Sequence, residues 1–347
     1  MRRIAILMAL AVLLCGKVSA LDVTAPEVPS SGAQWMPEET QNFGEALLEI
    51  ASDALARFWP DLQEAAASCT RVLAGIMAMA LLAAFPGPQK GSAELVGALM
   101  VAGLLLRSTN SLISMGAETV KEVSDYGKLL LPVMTAALAA QGGATSAAAI
   151  YTGTAVFDAL LAGIISKVLV PAVYVFLALA VGCGALGDPM LKKLRDSVKW
   201  AVSWCLKIIL YVYTGYIGIT GIVSGTTDAS LLKAAKLTIS GAVPVVGGIL
   251  SDASEAVLIG AGVVKNAAGI YGMLAVISVW IGPFLRIGAH YLILKGLALV
   301  CGIFGIQSVT DLVGDFSSAM GLLLAMNGAV CLMLLISTVC FMKGAGL

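Results

Sequence analysis

The chain has 347 residues, 59% hydrophobic and 12% charged, with mean hydropathy +0.95 and 21 basic side chains against 21 acidic. Soluble domains carry about 25% charged residues, so these figures argue against a soluble globular fold. Balanced charge, with no basic patch interleaved with aromatics, argues against a nucleic-acid partner. Apolar runs of about 20 residues recur along most of the length, which predicts an all-α, polytopic helical membrane protein whose constant partner is the lipid bilayer.

In chain order, residues 1–20 (MRRIAILMALAVLLCGKVSA) have a basic start, an apolar run and a small-residue end at Val18-Ser19-Ala20. They read as a signal peptide removed after Ala20, with an uncleaved anchor as the alternative. Residues 21–69 form an acidic extracytoplasmic segment, with nine carboxylates against the single Arg57. Within it Phe43, Leu47, Ile50, Ala54 and Phe58 keep helical spacing. That helix is capped by Asn42 with Glu45 and expected to end at Pro60.

From 70 to 347 the pattern predicts a multispan membrane domain of about nine spans, at roughly 70–86, 93–113, 129–149, 150–166, 168–187, 201–223, 267–285, 288–307 and 317–342. A polar connector (Glu118, Lys121, Glu122, Asp125, Lys128) separates the second from the third. Residues 188–200 (DPMLKKLRDSVKW) read as an interfacial basic helix capped by Asp188 and Pro189. Its expected apolar stripe is Leu191, Leu194 and Val198, with Trp200 and Trp204 at headgroup depth. With the acidic segment outside, the positive-inside rule puts Lys90, 188–199, Arg286 and Lys343 inside, and Asp311 and Asp315 outside.

Residues 240–257 (SGAVPVVGGILSDASEAV) interrupt an apolar region. Pro244 removes a helix donor, and Gly247-Gly248 permits a break. A lipid-exposed break leaves backbone groups unsatisfied, so it must be buried in protein or line a wet cavity. The functional reading is a re-entrant hairpin over 237–264 that forms a conduit or gate, with Pro244, Gly247, Gly248, Asp252, Glu255 and Lys265 as its candidate residues. The plainer reading is that Asp252 and Glu255 start a helix and that Lys265 reaches the interface.

Asp158, Lys167 and Lys295 are intramembrane charges expected to face the bundle, as a structural pair or an ion pathway. Cys183-Gly184-Ala185-Leu186-Gly187 resembles Cys301-Gly302-Ile303-Phe304-Gly305, with Pro171 and Pro283 upstream. In this topology the two copies run in opposite directions, a candidate inverted repeat of the transporter kind, set against chance likeness among glycine-rich segments. Six scattered cysteines beyond residue 20 form neither a metal site nor a disulfide framework. No P-loop, H-E-x-x-H or G-x-S-x-G element is present, so neither an enzyme nor a cofactor is expected.

An ordered set of short stretches resembles the stage III sporulation protein AE family from about residue 40 to the C-terminus. These are YGKLLLP at 126–132, GGATSAA at 142–148, KAAK at 233–236, PVVGG at 244–248, SDA at 251–253 and KNAAG at 265–269. The resemblance implies a membrane subunit of the mother cell–forespore channel, a secretion-like complex needed for endospore development. It would sit in the mother-cell membrane around the forespore, partnered by other membrane subunits. It implies no catalytic residues. A free-standing secondary transporter and a non-conducting scaffold for partner subunits are the alternatives.

Overall fold

The computed structural model describes residues 26–40, 42–83, 90–140, 144–219 and 267–344. A single turn α1 (Ser30–Ala33) precedes α2 (Phe43–Ala83), α3 (Lys90–Ala140) and α4 (Ala144–Ile164). A π-helical turn (Ile165–Leu169) joins α4 to α5 (Val170–Leu186), and α6 (Pro189–Ile219), α7 (Ala267–Ile303) and α8 (Gln307–Gly344) follow. No strand occurs among the described residues. Among the described residues, five stretches are long and apolar enough to cross a membrane: Leu95–Ala137, Ala147–Leu186, Pro189–Ile217, Gly269–Ile303 and Gln307–Met342.

The helices are fewer and longer than the sequence pattern predicts. Asn42 does cap α2, its Oδ1 accepting from the Gly44 amide at 3.2 Å, but Pro60 lies inside that helix instead of ending it. One missing donor is tolerated because the flanking turns stay paired and Phe43, Ile50 and Ala54 are buried. The polar connector at 118–128 is likewise helix. Its charged side chains lie along one side, while Val120, Val123, Tyr126 and Leu130 are buried on the other. Gly116 and Gly127 do not turn the chain there but face α8; a methyl group on Gly127 would stand 2.7 Å from Leu334. The break expected near 166–168 is the π-helical turn. Pro171 just after it frees a carbonyl one turn back, and the wider π turn absorbs the mismatch.

The bundle alternates in direction. Lys192, Arg195, Lys199 and Tyr213 of α6 meet Asp311, Asp315, Ser318 and Met333 of α8 at sequence separations of 119, 120, 119 and 120. A constant separation means that α6 and α8 run parallel. Gly116 and Gly127 of α3 face Asn327 and Leu334, so α3 is parallel to them as well. Gly269 of α7 faces Met342, whereas Tyr291 meets Ser317, so α7 is antiparallel to α8. Tyr216 and Tyr213 of α6 meet Ala149 and Thr154, so α4 is antiparallel to α6. In α2, Gly75 stands against Met100 and Glu64 against Arg286, which places α2 antiparallel to α3.

One end of the bundle carries the glycine turns that join α5 to α6 and α7 to α8, and is called here the turn end. Its glycines, Gly187 (φ 66) and Gly305 (φ 71), are the only described residues with positive φ. Left-handed backbone suits glycine, which has no Cβ to clash. The opposite end carries the N-terminal tail, residues 26–40. Because α6 and α8 run parallel, the hairpins that follow these two glycines point the same way. The copies do not have the opposed orientation that an inverted repeat requires.

At the centre lies α8, with 94% of its apolar window buried against 33% for both Ala147–Leu186 and Pro189–Ile217. From Ala319 to Met342 it carries no formal charge, which suits a helix wrapped by others.

Candidate functional site: the polar seam of α6 and α8

Asp188 and Pro189 start α6 as the sequence predicts, with Asp188 Oδ1 accepting from the Met190 amide at 2.7 Å. The face that α6 then turns inward is the basic one. Lys192 Nζ donates to Asp311 Oδ2 at 3.3 Å, Arg195 Nη1 to Asp315 Oδ2 at 2.6 Å and Lys199 Nζ to Ser318 Oγ at 3.0 Å. Arg195 also holds Asp196 Oδ1 at 2.8 Å. Of the expected apolar stripe, Leu191 and Val198 are half-buried, but Leu194 between them is 51% exposed. Arg195 and Asp315 are nearly enclosed, at 13% and 14% side-chain exposure. Pairing of desolvated charges outweighs burial of one leucine. Trp200 and Trp204 remain on the outer surface, their rings 5.7 Å apart.

This geometry corrects the charge-based topology. Asp311 and Asp315 share the turn end with 188–199 and cannot lie on the opposite side. Arg286 lies inside continuous α7, where it donates to Glu64 at 2.9 Å, instead of in a cytoplasmic loop. Lys343 lies near the far end of α8, at the tail end. All of these follow if α7 crosses once instead of twice. From Ser278 at the tail to Gly302 at the turn, α7 rises about 36 Å, close to the ~30 Å of a hydrocarbon core.

Further along the seam the ionic contacts give way to buried hydroxyls. Tyr213 donates to the Met333 carbonyl at 3.3 Å, contacts Ser337 Oγ and stands 3.5 Å from Thr154 Oγ1. One helix away, buried Asp158 accepts from Ser124 Oγ at 2.6 Å, and its Oδ1 has no protein partner among the described residues. Asp158 thus faces the bundle, but Lys167 and Lys295 are exposed and neither pairs with it. Pro244, Gly247, Gly248, Asp252, Glu255 and Lys265 lie outside the described residues, as do the segments expected to form the 237–264 hairpin and the signal peptide. No group of three or more His, Cys, Asp or Glu able to hold a metal occurs among the described residues.

Sequence reasoning missed the tail as a docked element. Trp35 is buried, its carbonyl accepts from Ser278 Oγ at 3.2 Å, and Arg57 lies 4.5 Å above its ring. Ser31 Oγ donates to Glu122 Oε2 at 2.6 Å. The one signal for this docking is an isolated tryptophan inside a polar segment.

An alternating bundle around a central helix that carries no formal charge from Ala319 to Met342, with long apolar helices on its outside, defines a multi-pass helical membrane protein. Within that class, the family model for stage III sporulation protein AE matches residues 63–345, and the chain belongs to this family. It is similar to stage III sporulation protein AE of Bacillus subtilis (strain 168), with 23% identity over 184 residues. That match covers 53% of this chain and 46% of the relative, so the chain spans about half the length of the curated relative it matches. No solved structure matches.

Proposed function

We propose that the protein is a membrane subunit of the channel, or secretion-like complex, that joins mother cell and forespore. In this reading 237–264 is a re-entrant element forming the conduit or its gate. One relationship carries it: α6 ends and α7 begins at the same end of the bundle, the tail end. A segment leaving and returning at one end need not cross the membrane, which is what a re-entrant hairpin requires. Family membership supports the sporulation role, and the acidic tail at that end supports an extracytoplasmic entry.

The same directions favour a complex subunit over a free-standing transporter. An inverted repeat would have supported the transporter, and the two glycine-turn hairpins point the same way.

Cysteine accessibility across 240–257 in intact sporulating cells tests the conduit. Labelling from the outer face at several positions is expected; complete protection would overturn it. Affinity purification of the full chain from the same cells tests the complex. Other membrane proteins should co-purify stably, whereas isolation alone, with solute uptake by the protein in vesicles, would replace this reading with the transporter.

A further inference from the structure

Arg71 of α2 and Arg107 of α3 line one groove of about 650 Å³ between the two helices, and none of its lining residues belongs to the α6–α8 seam. Each is the lone formal charge of a long stretch: residues 65–89 contain only Arg71, and 95–117 only Arg107. No carboxylate lines the groove. Neither arginine makes an ion pair or hydrogen bond among the described residues. Glu64, seven residues before Arg71 on α2, is engaged by Arg286. Two exposed guanidinium groups in one groove, with no carboxylate to answer them, suit an anion from outside the chain.

The lining favours phosphate among anions. Guanidinium presents a planar fork of donors that matches phosphate oxygens two at a time. Ser68, Ser108 and Ser111 add hydroxyls. The first two are bonded to their own helices at Ala65 and Leu105, while Ser111 makes no hydrogen bond among the described residues and is available to donate. The groove is open because residue 103 has no side chain: a Cβ placed on Gly103 meets nothing within 4 Å.

Depth points the same way. Since α3 runs parallel to α8 with Gly116 facing Asn327, Arg107 stands about level with Ser318, the residue that takes Lys199. That level, at the turn end, also bears the exposed Trp200–Trp204 pair, and such aromatics sit at headgroup depth.

We propose that the α2–α3 groove is a phosphate-binding site, occupied by the headgroup of an anionic lipid or by free phosphate. The proposal stands independently of the conduit. The full chain, released from nanodiscs of phosphatidylglycerol and phosphatidylcholine in equal parts, is assayed by native mass spectrometry for retained lipid. Arg71→Gln with Arg107→Gln should lower phosphatidylglycerol retention at least about tenfold and leave phosphatidylcholine unchanged. Gly103→Leu, which fills the groove and keeps both charges, should do the same, and it decides the matter if the double variant does not fold. In a second arm, inorganic phosphate is titrated against the melting temperature. A rise that needs both arginines assigns free phosphate, and lipid retention without that rise assigns the headgroup; either supports the site. Equal phosphatidylglycerol retention in wild type and Gly103→Leu, with no arginine-dependent phosphate effect, overturns it.

Discussion

Arg195 and Asp315 stand 2.6 Å apart at the turn end of the bundle, although a positive-inside reading of their surroundings assigns them to opposite sides of a membrane. The rule counts charges loop by loop and assumes that each is solvated where it emerges. Here the acids of α8 are met by the basic face of α6, so their partner is protein instead of water. The same holds for Glu64 and Arg286 further along the bundle.

Removing one member of the Arg195–Asp315 pair leaves the other desolvated and unpaired. Arg195→Met should destabilise by about 3–5 kcal/mol, measured by thermal or denaturant unfolding in detergent. Adding Asp315→Leu to it should recover most of the loss, because both charges are then gone. A double variant no better than the single would mean that the pair contributes nothing beyond its packing.

The parallel course of α6 and α8 is tested directly by cross-linking. With Lys192→Cys and Asp311→Cys in one chain, a short bismaleimide should join the two positions in native membranes, seen as a shift on denaturing gels after proteolysis between them. Pairing Lys192→Cys with Ser337→Cys, toward the other end of α8, should give no product.

Gly127 sits where α3 approaches α8 most closely among the positions named above. Gly127→Leu drives a side chain into Leu334 and should cost about 1–3 kcal/mol. Gly288→Ala is the control, since a Cβ there meets nothing within 4 Å. Equal melting temperatures for the two variants would contradict the packing.

Asp61 adds a pH dependence beside the Glu64–Arg286 pair. Burial pushes its carboxyl above the ordinary 3.8, opposed by the nearby Arg286 charge. The folded state therefore holds this proton more tightly than the unfolded state does. The sign follows: the stabilisation is complete below the unfolded value and is lost as pH rises through the folded one. Asp61→Asn should match wild type at the acid end of that window and be more stable above it, in melting curves taken across the range.

Asp158 accepts from Ser124 with one oxygen and has no protein partner for the other among the described residues. Asp158→Asn keeps an acceptor for Ser124 and removes the burden of a buried charge, so it should leave melting unchanged or raise it. Asp158→Leu orphans Ser124 and should lower it by about 1–3 kcal/mol. Loss of sporulation in a stable Asp158→Asn chain would mark the carboxylate as functional.

Residue type and spacing by themselves determine a helical membrane protein, the caps at Asn42 and Asp188, the buried face of α2 and the sporulation family. These rest on local terms: apolar content, 3.6-residue periodicity and short ordered motifs. Where one helix ends and the next begins was decided by packing. Pro60, Pro171 and the polar stretch at 118–128 each look like interruptions to a local reading, yet all lie within or beside continuous helix because a buried face runs through them. Which charges share a side was decided the same way. A lysine or carboxylate in isolation seeks water. Only the three-dimensional neighbourhood shows that Arg195 reaches Asp315 and Glu64 reaches Arg286, because an ion pair between helices depends on direction and level, which sequence spacing does not encode.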